Sequence, residues 1–169
     1  MTDGELQRVE EAAKVLNGGG VAIIPTDTVY GLAARPDCEE AVRRLYAIKG
    51  RDGNKPIALL VSDFNRLKGK ALELAKRHWP GALTIVQDGE GYRMPDDEMA
   101  LRLIGMCGGA LRVTSANLSG GEPAKRAEEA GIEADYVLDG GLSKIGTPST
   151  VVRVEGDQTI ILREGTIKP

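Results

Sequence analysis

Short apolar runs with strand spacing alternate along this chain with stretches whose apolar positions recur every three or four residues, a pattern that predicts an α/β fold. Val21-Ala22-Ile23-Ile24 reads as a buried strand, and Asp37 with Glu40 three positions later predicts a capped helix carrying Ala41, Leu45 and Ile48 inward. That helix is expected to stop near Gly50. Ile57 to Val61 is the next strand, followed by a helix from about Asp63 to Arg77 with Leu67 and Leu74 inward. Trp79-Pro80-Gly81 breaks the chain before a strand at Leu83 to Val86. Asp97 to Cys107 has helical spacing through Met99, Leu103 and Met106, and Leu111-Arg112-Val113 leads into a Thr114-Ser115-Ala116-Asn117 turn. Thr150 to Val154 and Thr159 to Leu162 flank Gly156-Asp157 as a terminal hairpin. Hairpin and crossover strands together imply a mixed sheet, and no internal repeat is present.

At 169 residues the chain fits one compact domain, 1–169. Its net charge of -3 and pI near 5.3 argue against a surface built to hold nucleic acid nonspecifically, although a local basic cleft is compatible with both. Cys38 and Cys107 stand apart and His78 is the single histidine, so no metal site is expected and the cysteines read as two buried thiols. The polar, acidic start from Met1 to Arg8 lacks the basic and apolar regions of a signal peptide, and no apolar run spans a bilayer. The expectation is a soluble, cytoplasmic protein without a membrane partner.

Candidate chemistry gathers in the polar segments beside the strands, where open α/β sheets collect ligands. Lys49-Gly50-Arg51 and the loop on to Lys55 concentrate cations and donors able to anchor a triphosphate, and no Walker-type glycine loop accompanies them. Thr114-Ser115-Ala116-Asn117-Leu118-Ser119-Gly120-Gly121 offers small donors and close backbone approach. Pro25-Thr26-Asp27-Thr28-Val29-Tyr30-Gly31 adds two hydroxyls, a carboxylate and a phenol; Gly146 to Thr150 and Arg163-Glu164-Gly165 complete the set. Each has an ordinary reading as a turn, a cap or a cation complementing a helix C-terminus. Their coincidence carries the functional one.

These pieces, with Trp79-Pro80-Gly81-Ala82-Leu83-Thr84, Arg93-Met94-Pro95 and Pro148-Ser149-Thr150-Val151, resemble the YrdC-like family of threonylcarbamoyl-AMP synthases from roughly Gly18 to Ile167. The resemblance implies a twisted, mainly parallel mixed sheet with surrounding helices and a large concave cleft. It implies synthesis of threonylcarbamoyl-adenylate and pyrophosphate from L-threonine, bicarbonate or CO2 and ATP with Mg2+, for N6-threonylcarbamoyladenosine in tRNA, with handoff to downstream tRNA-modifying proteins. It assigns Lys49 and Arg51 to catalysis; Lys49, Arg51, Ser115, Asn117 and Arg163 to ATP; and Thr28, Tyr30, Arg93, Thr114 and Ser149 to threonine, with Arg93 forking its carboxylate. A carbamate is already an anionic nucleophile, which suits a chain without a catalytic triad. Longer relatives carry a histidine in the segment matching Ile57 to Asp63, which is absent here, and the chain resembles the single-domain form. The competing readings are an RNA-binding module whose cleft is lined by Lys49, Arg51, Lys55 and Arg93, and a carbamoyl-adenylate enzyme like the YrdC-like segment of hydrogenase-maturation proteins.

Overall fold

The computed structural model describes residues 1–50, 52, 53 and 55–169. A twisted sheet of nine strands runs in the order β7-β1-β2-β6-β3-β5-β4-β8-β9. The strands are β1 (Ala22–Ile24), β2 (Gly31–Ala34), β3 (Leu59–Val61), β4 (Leu83–Gln87), β5 (Glu90–Arg93), β6 (Ala110–Ser115), β7 (Tyr136–Val137), β8 (Thr150–Glu155) and β9 (Gln158–Arg163). The helices are α1 (Asp3–Asn17), α2 (Glu39–Lys49), α3 (Gly69–His78) and α4 (Glu98–Met106). The sheet is mixed, as the spacing predicts, but not mainly parallel: β1 with β7, β3 with β5 and β4 with β8 are parallel, and the other five pairings are antiparallel. Tight hairpins cause this. Asp88-Gly89 joins β4 to β5, and Gly156-Asp157 joins β8 to β9, each in two residues, with Asp88, Gly89 and Gly156 at positive φ.

Register decides which side chains share a face. Ala22, Ile24, Ala33, Leu60 and Leu111 meet α1 and α4 on one face. On the other, Ile23, Leu32 and Ala34 meet α2, while Leu59, Val61, Leu83, Ile85 and Val152 meet α3. Helices α1 and α4 therefore cover one end of the first face. The half built by β5, β4, β8 and β9 carries no helix there among the described residues, and a cleft takes its place.

Several local expectations need correction. Asp37 does not cap α2: its two carboxylate oxygens take Arg35 Nε and Nη2 at 2.9 and 3.0 Å, and Cys38 precedes the helix without a side-chain cap. The end at Gly50 is as expected, with φ 66° there. The segment from Asp63 begins as a turn because the Asp63 carboxylate accepts the Asn65 N–H, so α3 starts only at Gly69. Cys107 is buried, but Cys38 is partly exposed. Among the described residues no helix is long and apolar enough to cross a membrane.

Asp97 does cap α4, accepting the Ala100 N–H at 2.9 Å. Burial pushes its carboxyl above the ordinary range, against that hydrogen bond, with the charge of Asp27 adding to the rise. A raised folded pKa means the stability this proton confers is fully present below the unfolded pKa and is lost as pH rises through the folded value. Asp97→Asn is therefore expected to keep the cap and flatten the pH dependence of the melting temperature near that pKa. Asp97→Ala is expected to cost about 1 kcal/mol of cap at neutral pH.

Candidate functional site

The open half of the sheet face forms a cavity of about 420 Å³. Alternate strand residues build its floor: Thr84 and Val86 of β4, Gly91 and Arg93 of β5, Val113 and Ser115 of β6 and Val151 of β8. Their neighbours Leu83, Ile85, Tyr92 and Val152 belong to the α3 side. Gly31 lets the Val113 side chain pack against the β2 backbone at this floor, because a Cβ there would lie 2.3 Å from Val113 Cγ1. Loop residues Thr26, Thr28, Tyr30, Pro148 and Ser149 and the end of β9, Leu162 and Arg163, complete the wall.

Seven of the sequence-predicted residues line this one cavity: Thr28, Tyr30, Arg93, Thr114, Ser115, Ser149 and Arg163. Lys49 and Asn117 join it from behind. The Lys49 ammonium, at the end of α2 and only 3% exposed, donates to the Ser115 carbonyl at 2.7 Å, Ser115 Oγ at 3.1 Å and Asn117 Oδ1 at 3.2 Å. Asn117 Nδ2 in turn donates to the Leu118 and Gly121 carbonyls, and the Ser119 N–H to the Lys49 carbonyl. Lys49 thus ties the helix end to the loop after β6. Arg51 lies outside the described residues.

Arg93 is embedded in protein acceptors. Its Nη1 donates to Asp27 Oδ1 at 2.6 Å and the Gly81 carbonyl at 3.3 Å, and its Nη2 to Thr28 Oγ1 at 3.0 Å and Thr26 Oγ1 at 3.3 Å. The four Nη hydrogens are engaged, which leaves no Nη fork for a ligand carboxylate without rearrangement. Trp79-Pro80-Gly81 makes this clamp: the indole Nε1 donates to the Leu83 carbonyl, the Trp79-Pro80 bond is cis, and the Gly81 N–H donates to the Met94 carbonyl.

The Tyr30 hydroxyl is likewise committed, donating to the Gly141 carbonyl at 2.6 Å and accepting the Gly140 N–H at 2.9 Å. Burial, above all, pushes its pKa up to about 12. Its phenol therefore holds the 139–141 loop, and the residue borders the cavity with its remaining atoms. Across the cavity, Ser149 Oγ lies 2.7 Å from Thr84 Oγ1, and Arg163 donates from Nε to the Ser149 carbonyl at 2.9 Å and from Nη2 to Ser149 Oγ at 3.2 Å.

Asp27 and Thr84 escape a residue-type reading. Asp27, 1% exposed, is the counter-ion of Arg93, and Thr84 faces the cavity from mid-strand. Their signal was present as a carboxylate between two threonines and as a hydroxyl in an otherwise apolar run. Among the described residues no three His, Cys, Asp or Glu side chains meet as metal ligands.

Comparison with known proteins adds four findings. Residues 14–165 match the family described as telomere recombination, Sua5–YciO–YrdC. The chain is 36% identical to a putative threonylcarbamoyl-AMP synthase of Methanocaldococcus jannaschii, covering 99% of this chain and 90% of that protein. It is 34% identical to the threonylcarbamoyl-AMP synthase of Bacillus subtilis, covering 95% of this chain but 54% of that one. The solved structure of Pyrococcus abyssi Sua5 complexed with L-threonine superposes with a TM-score of 0.85 at 32% identity, over 94% of this chain and 54% of that chain. The chain thus spans about half the length of two of these relatives.

Proposed function

The chain belongs to the Sua5–YciO–YrdC family, and we propose that its cleft performs the reaction of the threonylcarbamoyl-AMP synthases it resembles. L-Threonine, bicarbonate or CO2 and ATP would give threonylcarbamoyl-adenylate and pyrophosphate, the activated intermediate for tRNA threonylcarbamoylation. The observation that carries this reading is the convergence of Thr28, Arg93, Thr114, Ser115, Ser149 and Arg163 on one cavity, with Lys49 fixed behind it.

The threonine amine adds to CO2 with loss of a proton, or displaces water from bicarbonate, to give a carbamate whose oxygen attacks the α-phosphorus as the bond to pyrophosphate breaks. No protein nucleophile is consumed. The chain's part is to position the reactants and offset negative charge. In this assignment Lys49 and Arg51 meet the phosphates, Ser115 and Asn117 hold the nucleotide and Arg163 closes beside it. Thr28, Arg93, Thr114 and Ser149 surround threonine, and Tyr30 supports that wall. Magnesium enters with ATP, held by phosphate and water oxygens. A nucleic-acid groove fits less well, because the net charge is -3.

The test is pyrophosphate release by the purified chain with MgATP, leaving out L-threonine or bicarbonate in turn. Release is expected only with both present. Release independent of threonine would reject the assignment, and tight, salt-sensitive RNA binding without release would favour the nucleic-acid reading.

A further inference from the structure

The sheet ends on two unequal edges. At one, β7 is two residues long and gives another chain little to pair with. At the other, β9 runs from Gln158 to Arg163 with β8 as its single neighbour, so one side of its backbone has no ladder. Natural edge strands are blunted by lysine, proline or inward-pointing charge. Between Gln158 and Leu162 there is none of these: the run is Gln-Thr-Ile-Ile-Leu, and Ile161 and Leu162 are 50% and 49% exposed. A bulge interrupts the β8–β9 ladder only at its far end, between Val151 and Val152. The residues after β9 turn back onto the start of β8, where the Ile167 N–H and carbonyl both meet Thr150 Oγ1, instead of running along the open edge.

Backbone register decides what can add there. Gly156 and Asp157 form a two-residue turn with Gly156 at φ 59°, so the flanking pair Glu155–Gln158 is bonded across the hairpin, and bonded and non-bonded pairs alternate beyond it. Ile160, paired with Arg153, is bonded inward like Gln158, whereas Thr159 and Ile161 turn their N–H and C=O groups outward. A second β9 laid antiparallel uses all of these outward groups in one register: Thr159 opposite Ile161, Ile161 opposite Thr159, and the two Ile160 residues facing each other on a two-fold axis. A one-residue slip sets outward groups against inward ones. A shift that faces Ile161 with itself brings Thr159 to Arg163, which pairs inward with Val151, and forms fewer bonds. The first register also carries Asp157 of each copy toward Arg163 of the other, opposite charges, and sets the β-branched Thr159 and Ile161 against each other.

We propose that β9 is a pairing edge for a second copy of this chain, forming a two-fold dimer in which one sheet runs through both copies. The pairing is isologous and uses up the one long open edge among the described residues of each copy, so it closes at two. The axis stands perpendicular to the sheet, so both clefts open on the same side. Leu162, at the lip of each cavity, comes opposite Gln158 of the second copy. The cavity itself is lined by one chain, so the pairing goes beyond the synthase reading and does not depend on it. A single strand pair buries less than the roughly 1,200 Å² of a standard interface, which makes the dimer concentration-dependent.

Sedimentation of the full chain from about 5 to about 500 µM covers the range in which an interface of this size becomes populated. The average mass is expected to rise toward twice that of the monomer. Ile161→Lys, at a half-exposed position outside the cavity lining, is expected to hold it at the monomer value. Should that variant not fold, with melting temperature as the control, Thr159→Lys carries the same readout at an exposed position. Cysteine cross-linking reads the register. Under mild oxidation Ile160→Cys, whose thiols face each other across the axis, is expected to form covalent dimer at least about tenfold faster than Ile161→Cys, whose thiols are offset along the strands. The wild type, with Cys38 and Cys107, gives the background. A monomer at every concentration, a dimer that Ile161→Lys leaves intact, growth past two copies, or faster cross-linking at position 161 overturns the proposal.

Discussion

Lys49→Met is expected to lower pyrophosphate release by about 10²–10³-fold, the loss typical of removing one charge-stabilising donor from a water-excluded site. Methionine has nearly the same length and tolerates irregular surroundings, so the buried volume at the end of α2 stays filled. What disappears is the charge and the three donations to Ser115 and Asn117. Leaving those buried acceptors short of a donor costs about 1–3 kcal/mol of stability, read as a lower melting temperature. The two effects separate by assay temperature: well below the variant's melting point the fold is intact and the catalytic loss remains. Turnover within about threefold of wild type under those conditions would remove Lys49 from the mechanism.

Arg93→Met is expected to be the most destabilising single change in the cleft. The Arg93–Asp27 pair has side chains 6% and 1% exposed, and Asp27 Oδ2 has no hydrogen-bond partner among the described residues, so the carboxylate depends heavily on the guanidinium. Removing one member of a buried pair strands the other charge and typically costs about 3–5 kcal/mol. The double variant Arg93→Met, Asp27→Asn removes the stranded charge and is expected to recover a substantial part of that loss. Neither variant is expected to bind L-threonine as wild type does, because the Thr26–Thr28 wall loses the cation that orders it. Denaturant unfolding of the four members of this cycle gives the coupling directly. Additive losses would show that the pair is not an energetic unit.

How much of this was legible in the chain depended on the type of signal. The strands at 22–24 and 83–87 and helix α4 follow from apolar runs and periodicity, whereas β6 runs on through Thr114 and Ser115, which their composition reads as a turn, because both pair with β2. Helix α1 is not evident from the apolar pattern although its start carries a reciprocal cap, Thr2 with Glu5: its inward residues Val9, Ala12, Ala13 and Leu16 include two small alanines and make a weak apolar period among polar neighbours. Strand β2, Gly-Leu-Ala-Ala, has weak strand propensity and is held by burial and by partners on both sides. Strand β5, Glu-Gly-Tyr-Arg, has no apolar alternation, and the Asp88-Gly89 turn before it is its main local signal.

The candidate residues were legible as motifs, but their hydrogen-bond economy was not. Arg93 and Tyr30 have the right chemistry for a ligand, yet three-dimensional neighbours distant in sequence occupy the atoms that chemistry would use: Asp27 and Gly81 for the guanidinium, Gly140 and Gly141 for the phenol. Register across β4, β8 and β9 brings Thr84 to Arg163, a juxtaposition that no local spacing encodes.

The most direct measurement is the mass of the nucleotide product formed from ATP, L-threonine and 13C-bicarbonate. The expected product is an adenylate carrying threonine and a single heavy carbon, with pyrophosphate released in equal amount. Formation of ADP and phosphate, or an AMP product containing neither threonine nor the label, would contradict it.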